Sequence, residues 1–143
     1  MEYRYGLSST NKLNTCHEIL QIIANHALRY SPVDIMIVSG YRSEDEQNTL
    51  YKEGKSKLRY PNSKHNTIDP ITLKPCSQAL DFAPIVRGAA MWNDPYMFAV
   101  IFGHMNYAAR TLNVKLRWGG DWDMDGTTTD QTFMDWGHVE LVL

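Results

Sequence analysis

Leu13, Cys16, His17, Leu20, Ile23, Ala24 and Ala27 recur at helical spacing, so the chain from roughly Thr10 to Tyr30 is predicted to be one amphipathic helix laid against a core. Ser31-Pro32 ends it, because proline cannot supply the N–H that another turn needs. Ile35-Met36-Ile37-Val38 is a continuous, largely β-branched apolar run. That is the pattern of a short buried strand, and Ser39-Gly40 stops it. Ser43-Glu44-Asp45-Glu46 then has the Ser-x-x-Glu form of a capping box, opening a short helix that Gly54 can close.

From about Lys55 to Ser77 the chain turns polar and carries prolines, which predicts a long loop with little regular structure. Loops of that length are usually functional or disordered. Leu80 to Ala83 is a short strand candidate ending at Pro84. Asp94-Pro95 is a cap and first-turn pair, followed by Met97, Phe98, Ile101, Met105, Ala108 and Leu112 at helical spacing. Val114 to Trp118 and His138 to Leu143 read as two further strands, separated by a loop rich in Gly, Asp and Thr. The order of elements predicts an α+β domain in which helices pack on a small, largely antiparallel sheet. There is no internal repeat, linker or low-complexity tract.

Composition narrows the classes of partner. A chain of 143 residues, 43% of them hydrophobic, fits a single domain over 1–143 with a core of its own. A formal net charge of -2 speaks against a dominant nucleic-acid-binding surface. The start, Met1-Glu2-Tyr3-Arg4-Tyr5, lacks the apolar core of a signal peptide, and no later stretch is long enough to span a bilayer. Cytosolic synthesis without membrane insertion is therefore expected, as is a monomer. Cys16 and Cys76 are too few for a disulfide framework and fit no Cys-x-x-Cys metal motif.

The chemistry is concentrated in His65, Asp81 and the run Asp135-Trp136-Gly137-His138. Together they offer His65, Asp81 and His138 as zinc ligands and Asp135 as a free carboxylate. A catalytic zinc takes nitrogen or oxygen ligands from the protein and leaves a position for water, whose pKa falls to about 7. A neighbouring carboxylate can then take that water's proton and pass it to the leaving amine. On a regular strand Asp135 and His138 would face opposite sides. Gly137 is expected to relieve this through a bulge or turn. His104 reads as a core-edge residue, His17 and His26 as ordinary helix residues. The tryptophans are candidates for a substrate groove, with Trp118 and Trp122 equally suited to the core.

Ser63-Lys64-His65-Asn66, Pro75-Cys76-Ser77-Gln78-Ala79-Leu80-Asp81 and Asp135-x-x-His138 resemble the motifs of the D-alanyl-D-alanine carboxypeptidase and L-alanyl-D-glutamate endopeptidase family. These are zinc peptidases of peptidoglycan stem peptides. Ser39-Gly40-Tyr41-Arg42-Ser43 followed by Gln47, and Trp118-Gly119-Gly120-Asp121-Trp122, agree as well. The resemblance covers essentially the whole chain and is nearest to the small single-domain endolysins of tailed bacteriophages. It implies a hedgehog/D-Ala-D-Ala-peptidase-like fold, zinc on His65, Asp81 and His138, and Asp135 as general base. Arg42 matches an arginine that contacts substrate and could steady a developing oxyanion, or it is a structural ion-pair partner. Gln47 would orient substrate or Arg42.

One departure stands out. The family's common form sets the first histidine and the aspartate seven residues apart with a glycine between, whereas His65 and Asp81 are sixteen apart with none. Asp69 is therefore a rival third ligand; Asp81 is preferred because a strand positions a ligand better than a loop. The implied function is a zinc endopeptidase cutting the L-alanyl-D-glutamate bond for host lysis. A D-Ala-D-Ala carboxypeptidase, or a non-catalytic zinc-binding module on the same fold, are the alternatives. With no separate cell-wall-binding domain expected, the groove itself would find peptidoglycan. The enzyme would wait in the host cytoplasm until a membrane pore releases it.

A second metal signal lies in Asp121-Trp122-Asp123-Met124-Asp125-Gly126, which matches the opening of a calcium loop. The bidentate glutamate expected at position twelve is replaced by Thr132, with Asp130 a partial substitute. Weak Ca2+ binding by Asp121, Asp123 and Asp125, acting as a switch on Asp135, competes with a solvated acidic turn.

Overall fold

A computed structural model describes residues 2–143. Its elements are α1 (Leu7–Leu13), α2 (Glu18–Tyr30), β1 (Asp34–Ser39), α3 (Glu44–Lys52), β2 (Ala79–Val86), β3 (Ala89–Ala90), α4 (Pro95–Thr111), β4 (Lys115–Gly119) and β5 (Asp135–Val142), with a 3-10 turn at Lys64–Asn66. The strands form one antiparallel sheet in the order β1-β2-β5-β4, and β3 hangs on β2. Both the α+β class and the antiparallel sheet agree with the sequence reading.

Alternation along the strands decides which face does what. Leu80 and Phe82 of β2, Val139 and Leu141 of β5, and Leu116 and Trp118 of β4 are buried in the core. They meet Leu20 and Ile23 of α2 and Phe98, Ile101 and Met105 of α4 in the same cluster. The residues between them, Asp81, His138, Glu140 and Arg117, must then point to the other side of the sheet, since side chains alternate along a strand. Register completes the arrangement by pairing Asp81 with His138 and Arg117 with Glu140. One face makes the core; the other carries the chemistry.

The single helix expected from Thr10 to Tyr30 is broken. Thr15 Oγ1 donates to the Lys12 carbonyl at 2.6 Å and accepts from Tyr41 N–H at 2.9 Å. A hydroxyl that bonds nearby backbone competes with the helix. His17 caps α2, its Nδ1 accepting from Ile19 N–H at 3.1 Å. The break frees backbone groups at Thr15 and His17 to bond Ser77 at 2.9 and 2.8 Å, which fastens the segment leading into β2. Apolar spacing continued through the break, so periodicity alone could not reveal it.

β2 does not stop at Pro84 but runs to Val86. Pro84 O accepts from Met91 N–H at 2.9 Å, so its nitrogen also faces the β3 side. β5 pairs with β2 only through Asp81. The missing proline N–H therefore costs no bond to β1, and only the return bond to Met91 at the end of the short β3 side is lost. β5 starts at Asp135 rather than His138, and β3 was not anticipated. The capping box of α3 is formed as expected, Ser43 Oγ accepting from Glu46 N–H at 3.3 Å. Asp94 caps α4, accepting from Tyr96 and Met97 N–H at 3.1 and 3.4 Å.

Candidate metal centre

The long polar loop proves to be tightly bonded where it matters. Ser63 Oγ accepts from His65 N–H at 3.2 Å and Asn66 Oδ1 accepts from Ser63 N–H at 3.1 Å, locking the 3-10 turn that presents His65. Further on, Cys76 N–H donates to the Thr67 carbonyl at 3.0 Å, and Thr67 Oγ1 donates back to the Cys76 carbonyl at 2.7 Å. Ile68 and Pro75 form a further bridge. The chain between Thr67 and Cys76 is thus a side excursion closed at its neck, which is why His65 and Asp81 stay neighbours despite their separation in sequence. Asp69 sits in that excursion, capping its turn by accepting from Ile71 and Thr72 N–H at 2.7 and 3.0 Å. It takes no part in the cluster, and Asp81 does.

His65 Nε2, His138 Nδ1 and Asp81 Oδ1 form a small triangle with edges of 3.3, 3.1 and 3.3 Å. Around a tetrahedral zinc with ligands at about 2.0 to 2.1 Å, ligand atoms stand roughly 3.3 to 3.4 Å apart, so the triangle fits such an ion. The tautomers support the same conclusion. His65 Nδ1 lies 2.7 Å from the Gly40 carbonyl, which can only accept, so that nitrogen carries the proton and Nε2 offers a lone pair. His138 Nε2 lies 2.8 Å from Glu140 Oε1, leaving Nδ1 free in the same way. Two imidazole nitrogens and a carboxylate oxygen thus converge on one point, an arrangement compatible with a zinc ion.

The surrounding charges answer to that arrangement. Burial alone would raise the Asp81 carboxyl, but His65 and His138 beside it hold it well below the usual carboxylate range. Burial would lower His138, yet hydrogen bonds to Asp81 and Glu140 push it up to about 9. Glu140, buried but bonded to His138 and to Arg117, is held down to about 2. Arg117 Nη2 donates to Glu140 Oε2 at 2.7 Å. Glu140 escaped the sequence reading, although a His-x-Glu pair on one strand face was a signal available from period-two alternation.

Asp135 joins the site through a bulge. Trp118 pairs with Val139 while the next residue, Gly119, pairs with Asp135, so Trp136, Gly137 and His138 oppose nothing on β4. Two glycines make room for this. A Cβ on Gly119 would stand 2.0 Å from the Asp135 carbonyl oxygen, and one on Gly137 would stand 2.5 Å from that of Phe82. The expected bulge is present, but the glycine requirement at 137 is close approach of β2 rather than an unusual φ. Burial pushes the Asp135 carboxyl up, and the Asp81 charge adds to the effect.

Asp135, His65 and His138 line a cleft of 490 Å³ that also includes Arg42 and Trp122. Trp122 packs its ring 5.3 Å from that of His138, whereas Trp118 is buried and stacked on Phe102. Arg42 Nη2 donates to Asp81 Oδ2 at 2.5 Å, and its Nε donates to Ser39 Oγ at 3.2 Å. It is therefore both the ion-pair partner of Asp81 and part of the cleft wall. Gln47 is fully buried. Its Oε1 accepts from Arg42 Nη1 at 3.4 Å, and its Nε2 donates to Ser56 Oγ and the Leu58 carbonyl at 2.9 and 2.7 Å. Gln47 therefore lies buried behind Arg42, in contact with one of the two partners expected for it. His104, His17 and His26 stand outside the cluster.

Asp121, Asp123 and Asp125 also come together, with one oxygen from each within 4.8 Å of the others. Their oxygens are engaged by their own loop. Asp121 accepts from Asp125 and Gly126 N–H at 3.3 and 2.9 Å, and Asp125 from Thr127 N–H at 2.8 Å. Among the described residues, no helix is long and apolar enough to cross a membrane.

A triad of two buried histidines and one half-buried aspartate, beside a cleft that a further carboxylate lines, is compatible with a three-ligand metal centre. The chain belongs to the phage L-alanyl-D-glutamate peptidase family, whose sequence profile matches residues 1–142. It is 36% identical to the L-alanyl-D-glutamate peptidase of Escherichia phage T5, over 99% of this chain and 100% of that protein. It is 29% identical to the peptidoglycan L-alanyl-D-glutamate endopeptidase CwlK of Bacillus subtilis (strain 168), over 77% of this chain and 62% of that one. Among solved structures it is similar to the L-Ala D-Glu endopeptidase ChiX of Serratia marcescens, with a TM-score of 0.75 and 25% identity. That match covers 97% of this chain and 90% of the other.

Proposed function

We propose that this protein is a zinc-dependent peptidoglycan peptidase that hydrolyses the L-alanyl-D-glutamate bond of the stem peptide and serves in host lysis. The observation that carries the reading is the triangle of His65 Nε2, His138 Nδ1 and Asp81 Oδ1, with edges of 3.1 to 3.3 Å, facing the cleft that Asp135 lines. Family membership over residues 1–142 supports the choice of bond.

His65, Asp81 and His138 would hold the zinc. When bound, zinc supplies Lewis-acid polarisation of the scissile carbonyl and lowers the pKa of a coordinated water. Asp135 takes the proton of the attacking water and returns it to the departing D-glutamate amine. Its raised pKa suits both halves of that task, because a stronger base accepts the proton more readily and still releases it to an amine. Arg42, fixed by Asp81, Ser39 and Gln47, holds a cation at the cleft wall where the peptide carbonyl gathers negative charge. Gln47 acts as a positioning residue for Arg42. Glu140 fixes the ring of His138.

The test is digestion of purified peptidoglycan by the zinc-loaded protein, with released fragments read by mass spectrometry and a chelator-treated control. New termini at L-alanine and D-glutamate, lost with chelator, are expected. Release of terminal D-alanine would make it a carboxypeptidase, and zinc binding without any product would make it a binding module. Synthesis in the host cytoplasm followed by release through a membrane pore completes the lysis reading. A calcium ion on Asp121, Asp123 and Asp125 is a second proposal, favoured by the convergence of those carboxylates within 4.8 Å. Trp122 within the same loop packs on His138 and offers the link to the site.

A further inference from the structure

The cations of the cleft are not equivalent. Arg42 is paired with Asp81 at 2.5 Å and Arg117 with Glu140 at 2.7 Å. Lys64 stands 3.7 Å from Glu140 and donates to the Leu141 carbonyl. Lys55 stands 3.7 Å from Glu53. Lys57 also lines the cleft, and among the described residues it enters no ion pair.

An exposed lysine is ordinarily a mobile charge, but this one is held. Its Nζ lies 4.6 Å from the centroid of the Phe133 ring, where the ring's quadrupole attracts an ammonium. Phe133 is fixed in turn. Its carbonyl accepts from Trp122 Nε1 at 2.6 Å, and the two rings stack at 6.2 Å. Trp122 packs on the ring of His138. On the other side, the buried amide of Gln47 grips the residues flanking Lys57, bonding Ser56 Oγ at 2.9 Å and the Leu58 carbonyl at 2.7 Å. Lys57 is thus tied to the metal centre through Phe133 and Trp122, and to Arg42 through Gln47.

The proposed substrate presents a matching anion. In the stem peptide D-glutamate continues the chain through its γ-carboxyl, so its α-carboxylate stays free on the carbon that bears the scissile nitrogen. A cleft already holding the carboxylates of Asp135 and Glu140 would repel that group unless an uncommitted cation met it. The other flank of Asp135 is different. There a recess of 180 Å³ is lined by Trp92, Phe98, Met134 and Trp136 and contains no cation.

We propose that Lys57 is a specificity-determining residue that docks the free α-carboxylate of D-glutamate on the leaving side of the scissile bond. The inference rests on the L-alanyl-D-glutamate reading above. It makes the enzyme selective for stem peptides that keep this carboxylate over those in which it is an amide.

Paired synthetic stem peptides, one with D-glutamate and one with its α-carboxamide, test this with the zinc-loaded protein. Wild type is expected to favour the acid by about tenfold in kcat/KM, the scale of one charge-assisted contact in a partly hydrated site. In Lys57→Gln the acid-to-amide ratio falls toward one, mainly through a higher KM for the acid, and Lys57→Arg restores it. Lys74→Gln, on the excursion outside the cleft, keeps the wild-type ratio. An unchanged ratio in a folded Lys57→Gln, or equal cleavage of both peptides by wild type, overturns the proposal while leaving the endopeptidase reading intact. Cleavage of neither peptide by wild type overturns both.

Discussion

Two clusters of candidate metal-binding side chains in this molecule look alike in outline and differ in construction. His65, Asp81 and His138 come from three separate segments, while Asp121, Asp123 and Asp125 come from one loop. In the first, the far side of each side chain is fixed by another protein group: Gly40 O for His65, Arg42 for Asp81, Glu140 for His138. In the second, the carboxylates turn to their own loop's N–H groups. Segments distant in sequence are brought together only at an entropic cost that the fold must offset, so their convergence carries more information than that of loop neighbours. The comparison teaches that outer partners distinguish side chains fixed from several parts of the fold from a loop that satisfies its own carboxylates.

The sharpest way to break this distinction is His65→Ala, which removes a buried ligand from the 3-10 turn. Bound zinc, measured by elemental analysis, and peptidoglycan cleavage should both vanish. Full zinc occupancy in a folded variant would refute the ligand assignment. Asp135→Asn should come next, reducing kcat by about 10² to 10⁴ while zinc stays bound, the range for losing a general base. It should also abolish an acid limb whose midpoint in wild type lies above the ordinary carboxylate value, since burial and Asp81 raise Asp135. Glu140→Gln keeps the shape but weakens the hold on His138, costing about 10- to 100-fold in zinc affinity or activity. An effect below twofold would mean that the outer carboxylate is dispensable.

A gentler probe is the pH dependence of stability in chelator-treated protein. His138 is raised from 6.5 to about 9, so its contribution is full below pH 6.5 and disappears as pH rises through about 9. Glu140 is lowered from 4.5 to about 2, so its contribution is full above pH 4.5 and disappears as pH falls through about 2. Melting temperature should therefore peak between those limits, and zinc should flatten the alkaline arm by replacing the proton. A melting temperature that climbed from pH 7 to 9 without metal would contradict it. Smallest of all, Asp123→Ala should leave zinc content unchanged and remove any activation by added calcium. An equal calcium response in both proteins would dismiss the loop as a calcium switch.

What could be read from sequence was whatever depends on local pattern or on side-chain chemistry. The caps at Ser43 and Asp94 were legible because each needs only its own next turn. Asp135 and His138 were singled out through the family resemblance, and Gly137 pointed to the bulge that is present. The break at Thr15 was not, because its cause is Tyr41, far along the chain. Nor was the continuation of β2 through Pro84, which depends on which neighbour lies on the proline's nitrogen side. Gln47 was linked to Arg42 through the family resemblance, yet its burial follows from the loop that covers it. Glu140 was hidden only by attention to the ligands themselves, for His138 already fixed which residues share its face.

The closed neck at Thr67 and Cys76 has a consequence for how such enzymes diversify. Because two hydrogen bonds seal the excursion where it leaves the ligand-bearing framework, its length is uncoupled from the distance between His65 and Asp81. Chain added beyond the neck adds only a slowly growing loop entropy. Ile71 and Leu73 at the excursion are 90% and 70% exposed, so new residues there displace no core. The neck is a natural port for grafting a wall-targeting peptide, and fixed-spacing motifs will overlook relatives that have already used it.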